Sequence, residues 1–581
     1  MRAFVVSHNS VQLELRGCIF SHSENIMCSL KFRTLELMCL RRVRSLIENG
    51  STQLCTELKP HQLTALDFLR KNESSETDRL SLWNHPDNVW LRRFVDQSGI
   101  DVTGDWQSHK SRGSILADDM GLGKTLTTLA YVLATRDAAM EFQWAEWENQ
   151  SAATLVICPL ATLSNWENEM KIHFKDSAFT YVVFHGPDRN KLTRKDLQSP
   201  LVVLTTYKMI RHSGKGLNPD QLTIMSMNLH WFRIVLDEAQ NPTSHRTHNI
   251  QQLEAEFVLL LTGTPVQNRL TDLQSLIAML KIAPWDQEQL WKRCLIPRMN
   301  VGAPEAIKSL TILMQAVCLR RTKAVLLNLP EKVEKAILVR NSPEWEEVSR
   351  RLHTGFIHAF GRLQTSDEPW NAADFFRQMT MMRQFCNHPI FARQEMLIQP
   401  SWRWEDSAKI IHLLHSLKDF LKGARQIQYP KAVIFSSFVA FLQIIGRALQ
   451  DNEIESAWLT GDFSTQQRDQ NLGRFRSDQK CHVLLASLQA AGVGIDLRCA
   501  QNVYLMEPSW NPASEFQAID RLYCLGQINS VWVYRYYIEG SLEMNMYQVQ
   551  RRKSELALLS VPTGGNEEYE CAQMLMTNLI G

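Results

Sequence analysis

Residues 117–125 (ADDMGLGKT) place two glycines, a lysine and a threonine in the order a chain needs to fold its backbone around phosphate. A short apolar strand at 114–116 leads into the run, and Leu126, Leu129, Ala130 and Leu133 recur at helical spacing behind it. The run therefore sits at a helix N-terminus, where unpaired amides and the helix dipole attract anions. Gly121 and Gly123 let the backbone close on phosphate oxygens, Lys124 reaches the outer phosphates, and the Thr125 hydroxyl can hold Mg2+. Asp118 stands where the general GxxxxGK[ST] pattern has its first glycine, so the run taken alone is also compatible with a turn and a chance Lys-Thr. Two further runs argue against that. Residues 231–240 (WFRIVLDEAQ) form an apolar strand that delivers two carboxylates to its C-terminal end, where open α/β sheets bind ligands. There Asp237 suits Mg2+ held through its water shell, and Glu238 suits the orientation or deprotonation of an attacking water. In residues 261–268 (LTGTPVQN), Thr262, Gly263 and Thr264 follow another strand and fit a segment that senses the phosphate state; a plain turn is the bland alternative.

The elements that must hold these residues are legible as short Val/Ile/Leu runs followed by helical patterns, at 154–158, 201–205, 234–236 and 258–261. A second series lies at 432–435, 483–486, 503–506 and 531–534, and two parallel-sheet α/β units follow. Residues 284–405 lack such runs and read as helical, with an irregular stretch at 365–371. At 581 residues the chain is too long for one core, and about three to four units of ~150 residues are expected. Its 63 Lys and Arg against 61 Asp and Glu mean that any polyanion site must come from local patches. Twelve cysteines without a CxxC pair argue against a zinc finger, a RING or a disulfide framework. Residues 3–6 are too short an apolar core for a signal peptide. The longest apolar run, 432–446, carries two serines and a glutamine and reads as a strand and helix, not as a membrane span, so a soluble intracellular protein is expected.

In order and approximate spacing, LADDMGLGKT, ICPLATLSNWENE, LTTY, LDEAQ and LTGTPVQNRLTDLQSL resemble the SWI/SNF-type ATPases within the superfamily-two helicases. CLRRTK, RQFCNHP, KAVIFSSF, LTGD, LLASLQAAGVGIDL and PSWNPASEFQAIDRLYCLGQ continue the resemblance, which covers about residues 57 to 555. The departure at Asp118 is that family's own pattern. The resemblance implies an α/β fold of two RecA-like parallel-sheet lobes with helical insertions between them, with ATP and Mg2+ in the cleft and double-stranded DNA across both. The expected layout is an N-terminal segment of unassigned role at 1–52, an ATP-binding lobe at 53–285, a helical insertion and linker at 286–405, a second lobe at 406–558 and a tail at 559–581.

Carried over residue by residue, the family's nucleotide contacts fall on Asp118, Asp119, Met120, Gly121, Leu122, Gly123, Lys124 and Thr125, with Gln62 in the place of its adenine-reading glutamine. Gly492, Gly494 and Asp496 face the nucleotide from the second lobe. Lys124, Asp237, Glu238, Gln240 and Arg521 take the catalytic places, and Thr125 and Asp237 the metal's. DNA tracking through the backbone, without base reading, falls to 159–164, 205–207, 320–323, 436–438 and 487–492. Arg320, Arg321, Arg551, Arg552 and Lys553 fit a solvated basic face equally well, and LRRVR at 40–44 is a candidate nuclear-import run.

The pattern breaks in the last motif. The family's QAxDRxHRxGQ reads QAIDRLYCLGQ here: Arg521 is kept, Tyr523 replaces the histidine and Cys524 the second arginine. An arginine finger is worth on the order of a thousand-fold or more in rate, and a thiol cannot replace it. Gln240 stands where many members have histidine, Ala491 replaces a glycine and Asp496 an asparagine. The long spacer at 70–112 and the NPTSHRT turn look like the helicase-like transcription factor and post-replication-repair branch. That branch often carries a RING where residues 390–406 have neither cysteine nor histidine, so ubiquitin-ligase activity is not expected. The leading reading is a nuclear, DNA-dependent ATPase that translocates on duplex DNA and moves nucleosomes or bound proteins in repair or chromatin regulation. A nucleotide-binding DNA or chromatin scaffold with little turnover is the alternative that Cys524 raises. An RNA helicase is disfavoured by TGTP and by the Gly-Gln ending of the last motif.

Overall fold

The computed structural model describes residues 3–6, 53–74, 80–99, 112–210, 222–239, 244–263, 265, 270–323, 329–360, 372–395, 403–423, 429–491, 495–548 and 550. They divide into two compact units, one from 53–323 and the other from 329–550 with residues 3–6 joined to it. The described strands in chain order are β1 (Ala3–Val6), β2 (Arg112–Leu116), β3 (Gln150–Cys158), β4 (Tyr181–Phe184), β5 (Val202–Thr206), β6 (His230–Leu236) and β7 (Glu254–Leu261). There follow β8 (Cys318–Leu319), β9 (Lys332–Val339), β10 (Ala432–Ser436), β11 (Ser456–Leu459), β12 (Val483–Ser487), β13 (Asn502–Leu505) and β14 (Val531–Ile538).

The first unit is a parallel sheet of order β4-β5-β3-β6-β7-β2-β8. Its central strands β3, β5 and β6 are buried on both faces, which is why they read as continuous apolar runs. On β3, Ala153, Leu155 and Ile157 enter one core while Val156 and Cys158 enter the other. Helices Pro60–Glu73, Lys124–Ala134 and Leu163–His173 cover the second of these faces through Leu66, Leu129 and Trp166. Helices Val89–Ser98, Leu270–Met279 and Pro304–Val317 cover the first through Leu91, Leu276 and Leu313. Across the sheet, the fully buried Arg233 of β6 forms a two-point ion pair with Glu73, Nε to Oε1 at 2.8 Å and Nη2 to Oε2 at 2.6 Å. Tyr131 donates its hydroxyl to the same carboxylate at 2.9 Å, so helices Pro60–Glu73 and Lys124–Ala134 are fastened to one strand.

The second unit repeats the plan with order β1-β9-β14-β13-β10-β12-β11, parallel throughout except for β1 on β9. Ala432 and Ile434 of β10 face helices Ala408–Gly423 and Val439–Asp451, while Val433 and Phe435 face Thr465–Ser477 and Pro512–Asp520. Both units are thus parallel-sheet lobes of the RecA-like type.

Residues 284–405 are not uniformly helical. Strand β8 completes the first sheet and the eight-residue β9 lies inside the second. The sequence KVEKAILV conceals β9 because its alternation is charged: Lys332 meets Glu334 at 2.9 Å, and Arg535 of the neighbouring β14 meets it at 3.2 Å. Against the upward push of burial, Arg535 and Lys332 hold the Glu334 carboxyl at about 2. Outside the described residues lie the import run at 40–44, most of 1–52, the stretch 365–371, Gln240, Thr264, Gly492, Gly494, the cations at 551–553 and the tail from 559.

Candidate active site

Strand order decides which loops meet. Strand β7 lies between β2 and β6, so the phosphate loop, the Thr262 segment and the Asp237–Glu238 pair leave the sheet side by side at its C-terminal edge. The neighbours stay laced beyond the strands: Thr262 N donates to Leu116 O at 3.2 Å, Ala239 N to Leu261 O at 3.0 Å, and Asp237 N to Ile157 O at 2.9 Å.

The loop turns at Gly121 and Gly123, with φ of 83° and 80°, in the left-handed region where a side chain is strained. A Cβ at Gly123 would also lie 2.5 Å from Gln62 Nε2. Gln62 is thereby placed directly against the loop, while its Oε1 accepts the Lys59 amide at 2.9 Å and caps the helix Pro60–Glu73. Behind the loop, a Cβ at Gly263 would strike Met120 Cγ at 2.8 Å, so the Thr262 segment and the loop are in contact. Leu122 is buried, and its carbonyl bonds His61 Nε2 at 3.0 Å.

Lys124 folds back over the loop. Its Nζ donates to the carbonyls of Asp118 at 2.5 Å and Asp119 at 3.2 Å. Burial lowers its pKa, and the charges of Glu238, Asp118, Asp237 and Asp119 oppose that fall. A cation in such a low-dielectric site would interact strongly with an anion brought beside it. Thr127 and Thr128 spend their hydroxyls on the carbonyls of Gly123 at 3.0 Å and Lys124 at 2.9 Å, whereas among the described residues Thr125 has no such bond.

Asp237 is held on two sides. Trp166 Nε1 donates to its Oδ2 at 3.0 Å, and Tyr207 OH donates to its main-chain oxygen at 2.7 Å. Burial first, and then the charge of Glu238, raise the Asp237 carboxyl to about 6, although Trp166 and Lys124 pull the other way. Glu238 has φ of 52°, which costs a non-glycine residue about 1–2 kcal/mol and fixes where its carboxylate leaves the chain. A divalent cation fits this set, since its charge would relieve the repulsion that lifts Asp237.

The acidic side chains of the loop are committed elsewhere. Arg321 grips Asp118 at both oxygens, with Nε to Oδ1 at 3.0 Å, and donates to His61 O at 2.6 Å. Lys323 N donates to Asp119 Oδ2 at 3.0 Å, and Asp119 N to Arg321 O at 3.0 Å. The Asp118 carboxylate is therefore occupied by Arg321, while the Asp118 and Asp119 carbonyls accept from Lys124. The same geometry bears on Arg321, read as compatible with a solvated basic face: its guanidinium is held by Asp118 and largely shielded from solvent, and Lys323 is buried beside it.

The second unit carries Arg521, Asp496 and Cys524. Arg521 O accepts the Leu497 amide at 3.0 Å and lies 4.0 Å from Cys524 Sγ. Asp496 is clasped by Arg498, whose Nη2 and Nε reach its two oxygens at 2.6 and 2.8 Å, so the charge gained by having aspartate there is largely neutralised. Arg498 Nη1 continues to Leu525 O at 3.0 Å, and Tyr523 OH to Pro330 O at 3.0 Å.

Residues 61–391 match the SNF2-related domain, and residues 412–526 match the helicase conserved C-terminal domain. The chain belongs to the SNF2-related family. Within it, the chain is 27% identical to the DNA repair protein RAD5B of Arabidopsis thaliana, over 88% of this chain and 51% of that one. It is 26% identical to the helicase-like transcription factor of Homo sapiens, over 71% of this chain and 50% of the relative. It thus spans about half the length of these curated relatives. The Sulfolobus solfataricus SWI2/SNF2 ATPase core in complex with dsDNA overlaps 87% of this chain and 92% of its own, at 26% identity and a TM-score of 0.35. For a SNF2-related chain, the residues that motif reading leaves without a role at the site are Trp166, Tyr207, Arg321 and Arg498. The first three lie inside quoted motifs, but only the fold shows which groups their side chains meet.

Proposed function

We propose that this chain is an ATPase stimulated by duplex DNA, which translocates along it in DNA repair or chromatin regulation in the nucleus. The observation that carries this is the convergence of Lys124, Thr125, Asp237 and Glu238 at one sheet edge, with the lysine feeling the charge of both carboxylates. Backbone amides at the start of helix Lys124–Ala134 bind phosphate, and Lys124 exchanges its two carbonyl partners for phosphate oxygens. Gln62, set against Gly123, is in place to meet a base or ribose beside the loop. Glu238 orients the attacking water and accepts its proton. Thr125 and Asp237 would hold Mg2+, which when bound neutralises phosphate charge. Arg521 is the arginine left in the last motif to offset charge in the transition state. Duplex DNA, alone or in nucleosomes, is the proposed partner, held through its backbone and therefore sensitive to salt.

One observation favours a second reading, a nucleotide-dependent clamp with slow turnover. At residue 524 a thiol lying against Arg521 O replaces a cation. ATP hydrolysis with and without duplex DNA, on the wild type, Lys124→Ala and Cys524→Arg, separates the two. Stimulated turnover absent from Lys124→Ala supports the motor. Wild-type turnover no higher than that of Lys124→Ala, with a gain of ten-fold or more in Cys524→Arg, supports the clamp, on the scale of an arginine finger.

A further inference from the structure

The N-terminal edge of the first sheet carries a feature that neither phosphate nor metal chemistry uses. Helix Arg136–Ala145 follows helix Lys124–Ala134 and leads through residues 146–149 into β3. Its inner side is complete. Ala139 is buried, Phe142 meets His230 edge-on with ring centroids 5.1 Å apart and Phe232 at 5.7 Å, and Gln143 Nε2 donates to Gln198 O at 3.0 Å. Two tryptophans are left outside it. Trp144 is 62% exposed and Trp147 59%, and among the described residues neither indole has a ring or hydrogen-bond partner. Single apolar side chains on a surface are ordinary, but two indoles three positions apart form a patch, and tryptophan is enriched where binding energy concentrates. The turn that presents Trp147 is also fastened. Gln198, itself buried, donates through Nε2 to the carbonyls of Trp147 at 3.0 Å, Glu148 at 3.2 Å and Gln150 at 3.4 Å. Asn149 Nδ2 donates to Glu146 Oε1 at 2.6 Å, and Asn149 O accepts the His230 amide at 2.9 Å. A backbone pinned in this way loses little freedom when the indole is covered.

The charges around the patch select the chemistry of what covers it. Asp137, Glu141, Glu146 and Glu148 stand against Arg136 alone in residues 136–149, and all five are exposed. Among the described residues Asp137, Glu141 and Glu148 have no ion pair. Arg194, the cation tied to this turn, donates to Asn149 Oδ1 at 3.1 Å and Asn228 O at 2.8 Å. Carboxylates repel nucleic acid and anionic lipid, and in a symmetric contact between two copies of this chain they would face each other. Arginine and lysine suit both halves of the patch, because their cations pair with carboxylates and also lie over indole faces. We propose that Trp144 and Trp147, with Glu141 and Glu148, form a docking surface for an arginine- and lysine-rich segment of a partner protein. Strand β3 begins beside this surface and ends at Cys158, about 30 Å away at ~3.3 Å per residue, so a partner seated here leaves the C-terminal edge of the sheet open.

The test uses a fluorescein-labelled peptide of alternating arginine and serine, titrated onto the full chain by anisotropy, beside the same peptide with glutamate in place of arginine. The arginine peptide should bind saturably and the glutamate peptide about ten-fold more weakly or worse. Trp144→Ala/Trp147→Ala should weaken the arginine peptide by about ten-fold or more at an unchanged melting temperature, as expected of anchoring side chains that lie outside the core. Glu141→Lys/Glu148→Lys should abolish binding, and it decides where the tryptophan variant does not fold. A wild-type chain that fails to bind the arginine peptide, or binds both peptides alike, overturns the inference. So does a tryptophan variant with wild-type affinity, which reduces the patch to unspecific counter-charge. A dimer in sedimentation that dissociates in Trp144→Ala/Trp147→Ala assigns the face to a second copy and overturns it as well. None of these outcomes bears on ATP turnover, which tests the proposed function separately.

Discussion

Asp237→Asn is expected to make the nucleotide-free protein more stable at pH 7.5 and to leave it nearly unchanged at pH 4. Burial and the neighbouring Glu238 raise the carboxyl from 3.8 to about 6, so the folded chain holds a proton there that the unfolded chain gives up. A folded-state pKa above the unfolded one contributes stability that is complete below 3.8 and is lost as pH rises through about 6. That interval corresponds to about 3 kcal/mol for a group wholly shielded from water. Asp237 is only partly buried, and screening reduces the expected gain to about 1–2 kcal/mol. Asparagine isolates the charge, since it keeps an oxygen for Trp166 Nε1 and leaves the main-chain oxygen that Tyr207 holds. Urea denaturation in EDTA, followed by tryptophan fluorescence at several pH values between 4 and 7.5, measures the difference. A difference independent of pH, or a variant less stable than wild type at pH 7.5, would refute the reasoning. With Mg2+ and an ATP analogue present the order should reverse, because the cation stabilises only the aspartate.

Three further outcomes follow from the packing. Glu73→Ala leaves the fully buried Arg233 without its carboxylate and should cost about 3–5 kcal/mol in chemical denaturation, much of it recovered when Arg233 is also made methionine. Gly123→Ala combines left-handed strain of about 1–2 kcal/mol with a contact on Gln62; adding Gln62→Ala should relieve the contact but not the strain, so melting temperature recovers only in part. Lys409 is fully buried in the second unit, where its Nζ meets Glu543 Oε1 at 2.6 Å, Met506 O at 2.7 Å and Asn387 Oδ1 at 2.9 Å. Lys409→Met should therefore destabilise that unit, most at alkaline pH and less at pH 5, because Glu507, already raised by burial and bonded to Asn387 Nδ2, then takes up a proton; melts across pH check this.

Both sheets were legible in the sequence because their central strands, buried on two faces, are continuous apolar runs such as AVIF at 432–435. Strand β9 was not, since its partners satisfy charge instead of excluding water. The convergence of the loop at 117–125 and the Asp237–Glu238 pair at one sheet edge was legible because each is a short contiguous run placed directly after an apolar strand. What escaped were bonds across long separations: Arg321 to Asp118 spans 203 positions, and Trp166 to Asp237 spans 71. Local spacing cannot show that an arginine read as a surface cation is held by a buried aspartate, nor that a tryptophan read as part of a motif ends on a carboxylate.

The pairing of β8 with β2 and the grip of Arg321 on Asp118 have a consequence for how the chain can be divided. The polypeptide runs along the loop at 117–125 as it leaves its first unit, and among the described residues Lys323 is the last attached there. A fragment cut at residue 285 keeps every residue named for phosphate, metal and water in the first unit, yet loses the edge strand and leaves a buried aspartate unneutralised. A fragment meant to keep the first unit's sheet and the Asp118 ion pair therefore has to extend beyond Lys323, and fragments ending on either side of that limit should differ in solubility.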